Sequence, residues 1–198
     1  MKHCLVIGKP NSGKTLFLLN LAEYLGYKEI EFDVERADGS RWQRQYTLME
    51  ARMTLVGPTP HVTQALYATT VILRKGKMTV EVRLTDSTGF CEGIHKDASV
   101  RQAMAQTLRQ LRQRSMILHM IDGVDAACGG VSKIDEQLVR YVTGCSGYAI
   151  LVNKMDLLRA SEGLLNVRNR FPHHMVIPVS ALKRTGFGEV RSFVVGAF

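Results

Sequence analysis

The 198-residue sequence is poor in cysteine, proline and tryptophan, with four, five and one respectively. Cys4, Cys91, Cys128 and Cys145 are too scattered for a CxxC metal or redox pair, and a disulfide framework belongs to secreted chains. They read as reduced thiols. No apolar run approaches the ~18 residues of a membrane span, and no signal-peptide pattern precedes the first strand-like segment, so a cytoplasmic protein is expected. Neither low-complexity linker nor internal repeat appears. What is abundant is core material, 45% hydrophobic, together with a basic excess: 26 Lys and Arg against 18 Asp and Glu give +8. That charge favours anionic partners such as nucleotides, RNA or acidic membrane without choosing among them.

β-Branched runs alternate with amphipathic stretches, the pattern of βαβ units feeding a mostly parallel sheet in one α/β domain over residues 1–198. Six strands are expected: His3–Gly8, Leu66–Leu73, Met78–Asp86, Ser115–Asp122, Tyr148–Asn153 and Met175–Ser180. Helices are expected at Lys14–Leu25, Ala98–Arg114, Ser132–Thr143, Leu157–Arg170 and Phe187–Val195. In the second helix Val100, Met104, Thr107, Leu108 and Leu111 form one apolar stripe. Glu29–Leu55 breaks the alternation: two period-2 segments, Ile30–Glu35 and Trp42–Leu48, flank an Asp38-Gly39 turn and read as an inserted hairpin. Trp42 is expected to anchor it; an exposed aromatic there would mark a docking surface.

Gly8-Lys9-Pro10-Asn11-Ser12-Gly13-Lys14-Thr15 satisfies GxxxxGK[ST] between a strand and a helix. Its glycines let backbone N–H groups turn onto a β-phosphate, Lys14 bridges the β- and γ-phosphates, and Thr15 offers a hydroxyl to Mg²⁺. Lys9, Asn11, Ser12, Gly13, Lys14, Thr15 and Leu16 are the candidate contacts from this loop. Asp86-Ser87-Thr88-Gly89 ends a strand where a carboxylate would face the loop; Asp86 is a second Mg²⁺ partner through water, and the Gly89 N–H a γ-phosphate sensor. Asn153-Lys154-Met155-Asp156 is chemically more specific. A carboxylate at Asp156 accepts from guanine N1–H and N2–H₂, a pair that adenine lacks. Asn153 ties this loop to the phosphate loop and the Lys154 stem covers the base plane. Ser180, Ala181 and Leu182 complete the base pocket, with a backbone N–H toward the guanine O6.

With these blocks in this order the sequence resembles the translation-factor-related GTPases, most closely the TrmE–Era–Der group, which shares G-x-P-N-x-G-K-[ST]. The resemblance implies a Ras-like G domain hydrolysing GTP to GDP and phosphate with Mg²⁺, a hairpin inserted over residues 29–55, and a first switch within Gly57–Thr63. Thr63 would complete Mg²⁺ coordination, with Thr59 the other candidate, and Lys14, Thr63 and Gly89 would carry catalysis. Phe90 stands where Ras-like proteins orient water with glutamine, which implies slow intrinsic hydrolysis. The asparagine matching Asn11 is associated in that group with a bound K⁺. The chain stops at Phe198, without the RNA-binding domain that follows the GTPase core in Era.

Arg101, Arg109 and Arg112, with Lys96 and Arg114, make helix 98–114 a candidate surface for ribosome, RNA or a protein effector, beside the alternative of a solvated face. The insertion is the other candidate, either as a nucleotide-state readout or as an edge hairpin that merely extends the sheet; a nucleotide-dependent dimer is a further possibility. NKMD argues against a P-loop ATPase or kinase. A nucleotide-regulated docking module with negligible hydrolysis alone stands as the second function class.

Overall fold

The computed structural model describes residues 1–57, 65–75, 78–111, 116–142, 144–145 and 147–196. The first-switch residues 58–64, with Thr59 and Thr63, lie outside the described residues, as do 112–115 with Arg112 and Arg114.

Among the described residues eight strands form one sheet: β1 (Lys2–Gly8), β2 (Glu29–Arg36), β3 (Arg41–Thr47), β4 (Ala65–Lys75), β5 (Met78–Asp86), β6 (Met116–Asp122), β7 (Gly147–Asn153) and β8 (Met175–Pro178). Their order is β3-β2-β4-β5-β1-β6-β7-β8. From β5 to β8 neighbours are parallel, and from β3 to β5 antiparallel. The helices of the described residues are α1 (Lys14–Tyr24), α2 (Leu48–Leu55), α3 (Ala98–Leu111), α4 (Gly123–Gly129), α5 (Lys133–Tyr141), α6 (Ala160–Arg170) and α7 (Phe187–Gly196). β6 and β7 read as continuous apolar runs because they are central, parallel and covered on both faces.

The strand count is eight rather than six because the inserted hairpin joins the sheet, β2 pairing with the first residues of β4 from Asp33↔Ala68 to Arg36↔Ala65. α2 follows at once. Thr47 and Glu50 close a reciprocal capping box, a Thr-x-x-Glu signature that the sequence carries openly. The expected α6 start at Leu157 moves to Ala160, since left-handed Lys154 and Arg159 turn the chain first. The last strand stops at Pro178, and Ser180 instead bridges to Thr185. In α3 the buried stripe takes Ala103 and Gln106, while Leu108 is exposed. Gln106 donates to the backbone carbonyls of Glu35 and Arg36, binding α3 to the hairpin.

β6 buries a histidine. His119 Nδ1 lies 2.7 Å from the Tyr148 hydroxyl and Nε2 3.0 Å from Asp135, whose other oxygen accepts from Ser132 Oγ at 2.5 Å. Burial raises the Tyr148 pKa, so its phenol stays protonated.

The hairpin is no detachable appendage. Ile30, Phe32, Val34 and Tyr46, with Leu48, Ala51 and Leu55 of α2, belong to the same core as α1, α7 and the centre of the sheet. Phe32 meets Tyr46 and Tyr67 edge-on, with centroids 6.3 and 5.6 Å away. Trp42 does not anchor this packing; it is 37% exposed. Phe32→Ala is therefore expected to destabilise the whole domain by about 3–5 kcal/mol in one cooperative denaturant transition. A separate early transition of the hairpin would contradict the shared core.

Candidate functional site

Parallel strands aim their carboxyl ends at one rim of the sheet, and the three motif loops leave from β1, β5 and β7 there. Between them opens a cavity of about 470 Å³, within the range of small-molecule sites. Asn11, Gly13, Lys14, Thr15, Leu16, Gly89, Asn153, Lys154, Asp156, Ala181 and Leu182 line it. Lys9 does not: its ammonium points away, 3.5 Å from Asp125. Ser12, Asp86 and Ser180 sit behind the wall as buried residues.

The phosphate loop is shaped by its own carbonyls. Lys14 Nζ donates to the oxygens of Lys9 at 2.7 Å and Gly8 at 3.3 Å, which holds the ammonium at the loop's centre. Burial lowers its pKa to about 8 against the raising effect of the Asp86 and Asp135 charges. Thr15 donates its hydroxyl to Asp86 Oδ2 at 2.6 Å, while Asp86 Oδ1 is buried with no hydrogen-bond partner among the described residues. Burial pushes the Asp86 pKa up to about 6, opposed by Lys14, the Thr15 hydroxyl and the Ser87 N–H. A hard divalent cation fits this donor set: an orphaned carboxylate oxygen beside a hydroxyl, at the end of a loop that faces phosphate. Gly89 packs against this loop so closely that a Cβ there would stand 2.5 Å from the Pro10 nitrogen. Phe90 donates its N–H to the Gly8 carbonyl at 3.0 Å and buries its ring in the core.

The base loop is fastened by one side chain. Asn153 donates from Nδ2 to the Ser12 carbonyl and accepts at Oδ1 from the Ala181 N–H, both at 2.8 Å. Ala181 N–H is thus engaged, and Leu182 is the other residue of that turn lining the cavity. Asp156 accepts from the Ser180 hydroxyl. Lys154, left-handed at φ 67°, pairs its ammonium with Asp122, which also caps α4 through the Val124 and Asp125 N–H groups. Sequence reasoning missed Asp122, although an acidic residue ending an apolar strand signals an N-cap. It also missed Leu55 and Val56, which bring the end of α2 to the cavity wall beside Gly57 of the expected first switch.

Helix 98–111 is less open to a polyanion than expected. Arg101 spends its guanidinium on the His95 and Lys96 carbonyls at 2.7 and 2.8 Å, stapling the loop before α3.

The raised Asp86 pKa has a stability consequence. Between the unfolded value of 3.8 and about 6 the folded state binds more protons than the unfolded one, so this group's contribution falls as pH rises through that window. In urea titrations with chelator and without nucleotide, Asp86→Asn is expected to gain on the parent from pH 4 to 7 by roughly 2–3 kcal/mol. A difference independent of pH would contradict the buried charge.

The model of the 50S ribosome-binding GTPase family matches residues 46–154, more than half of the chain. A GTPase Obg from Akkermansia muciniphila is 26% identical over 117 residues, covering 55% of this chain and 32% of that protein. Among solved structures, Aquifex aeolicus Era bound to GDP·AlF₄⁻ superposes with TM-score 0.69 at 19% identity, over 100% of this chain and 57% of that one. The S. thermophilus NFeoB bound to GDP·AlF₄⁻ gives 0.61 at 23% identity, over 100% and 63%. The present chain thus spans about a third of the Obg protein and little over half of the Era chain. These structures share its fold. By sequence and architecture the chain belongs to the 50S ribosome-binding GTPase family.

Proposed function

We propose that residues 1–198 act as one GTPase domain that binds GTP in the cavity between the three loops and hydrolyses it slowly to GDP and phosphate. The observation that carries this reading is the Asn153 amide, which joins the phosphate loop to the base loop and leaves Asp156 on the cavity wall. There the carboxylate would accept from guanine N1–H and N2–H₂. At the other end Lys14 would meet the β- and γ-phosphates, and the N–H groups of Lys9 and of Asn11 to Leu16 would surround the β-phosphate. Thr15 and Asp86 would hold Mg²⁺, with Thr63 as the further ligand that the family resemblance implies. When bound, the ion neutralises charge on the phosphate oxygens. In the hydrolytic step a water oxygen bonds to the γ-phosphorus, the bridging oxygen leaves with GDP, and the water's proton passes to phosphate.

The low rate follows from Phe90. Its ring is buried in the core, and no side chain from that position reaches the cavity to align water. Asn11, left-handed at φ 59° on the cavity wall, would contribute to a K⁺ site that supplies charge near the leaving oxygens. A second reading keeps the nucleotide site but assigns the work to docking, with hydrolysis negligible until a partner binds. It is favoured by the register of Arg36 opposite Ala65, directly after the first-switch segment, which ties the hairpin to that segment.

Two measurements test the reading. Asp156→Asn is expected to weaken GTP binding by about 1–3 kcal/mol and to improve binding of xanthine nucleotides. Single-turnover hydrolysis is expected well below ~1 s⁻¹ and faster in K⁺ than in Na⁺, with the difference lost in Asn11→Ala. A rate indifferent to the cation removes the K⁺ site; no turnover in either salt leaves only the docking reading.

A further inference from the structure

The insertion presents a surface unlike the rest of the molecule. Arg41, Trp42, Gln43, Arg44 and Gln45 are all exposed, on a strand that among the described residues has β2 on one side and no strand on the other. The outward N–H and C=O groups of β3 are therefore open to a ligand. Strand alternation and register sort the side chains by sign. Val34↔Trp42, Phe32↔Arg44 and Ile30↔Tyr46 put Trp42, Arg44 and Tyr46 on one face, with Arg36 beside them at the turn. The β2 carboxylates alternate to the opposite face, where Glu29 takes Gln45, Asp33 takes Gln43 and Arg83, and Glu35 takes Arg41. Asp38, in the turn, accepts from the Ser40 N–H.

On this face, clear of the β2 carboxylates though within reach of the Asp38 charge in the turn, the guanidinium groups lie against rings. Arg36 Cζ is 5.1 Å from the Trp42 ring centroid and Arg44 Cζ 4.7 Å from that of Tyr46. Among the described residues neither arginine makes an ion pair. Tyr46 is buried and Trp42 is 37% exposed, so the strip offers an indole face and a guanidinium plane side by side, with positive charge and an open main-chain edge. A second copy pairing along β3 would bring arginines of like charge together. A purely electrostatic partner would have no use for the exposed ring.

We propose that the Arg36–Trp42–Arg44 strip of the β2–β3 hairpin docks single-stranded RNA. Unstacked bases lie on the Trp42 ring and the Arg44 guanidinium plane, and backbone phosphates pair with Arg36 and Arg44. A duplex hides its base faces and fits the strip poorly. This inference deepens the docking reading of the insertion and stands apart from the nucleotide chemistry. The strip shares no residue with the nucleotide cavity, so loss of RNA binding with GDP binding intact separates the two failures.

Trp42 is the chain's only tryptophan, so its fluorescence reports the strip directly. Titration of the full chain with an unstructured 12-nucleotide RNA is expected to quench it saturably, whereas a duplex of equal length and phosphatidylglycerol vesicles do not. By anisotropy of labelled RNA, Trp42→Ala is expected to weaken binding at least ~5-fold, with partial rescue by Trp42→Phe. Arg36→Gln and Arg44→Gln should each reduce the salt slope by about 0.7. No saturable quenching by RNA, equal binding of the duplex, quenching by the vesicles instead, or variants that bind as the parent does would overturn the proposal.

Discussion

Everything at the nucleotide rim depends on one buried carboxamide. Asn153 can accept and donate at once, and it does both at 2.8 Å, to Ser12 in the phosphate loop and Ala181 in the last turn. Burying an amide is costly unless it is fully paired, so the three loops must close on it together. The demand propagates to Gly13: a Cβ there would stand 2.2 Å from Asn153 Nδ2, and its φ of 95° is strained for any side chain. The glycine that opens α1 is therefore needed for this contact.

A second constraint is electrostatic. Lys14 and Asp86 are both almost wholly buried, and their pKa values move toward neutrality, down to about 8 and up to about 6. The site thus holds two charges that water would solvate better, with Asp86 Oδ1 lacking a hydrogen-bond partner among the described residues. Phosphate oxygens for the ammonium and a cation for the carboxylate would relieve both. Binding of either is coupled to folding stability by mass action.

The central strands and the three motifs were legible because each obeys a local rule: apolar runs in a parallel sheet, glycine where φ is positive, a polar turn at a strand's carboxyl end. What escaped depends on tertiary packing. Glu29–Leu55 was readable as a hairpin, but not as part of the main core, since pairing of Arg36 with Ala65 spans a segment with no periodicity of its own. Leu108 looked like core by spacing, yet α3 buries Gln106 instead because that amide reaches the hairpin's carbonyls. Trp42 was weighted by size as an anchor, whereas strand register leaves it beyond the packing of Phe32 and Tyr46. Lys9 sits within the phosphate motif, but its side chain is drawn to Asp125.

In the proposed function the cavity recognises guanine through Asp156 while Asn153 holds the loops at its two ends in register. Calorimetric titration of the unmodified chain with GDP and with ADP, in Mg²⁺, tests this most directly. A preference for GDP of at least ~100-fold is expected from loss of a buried hydrogen-bonding pair with adenine. Equal affinity for the two nucleotides would contradict it.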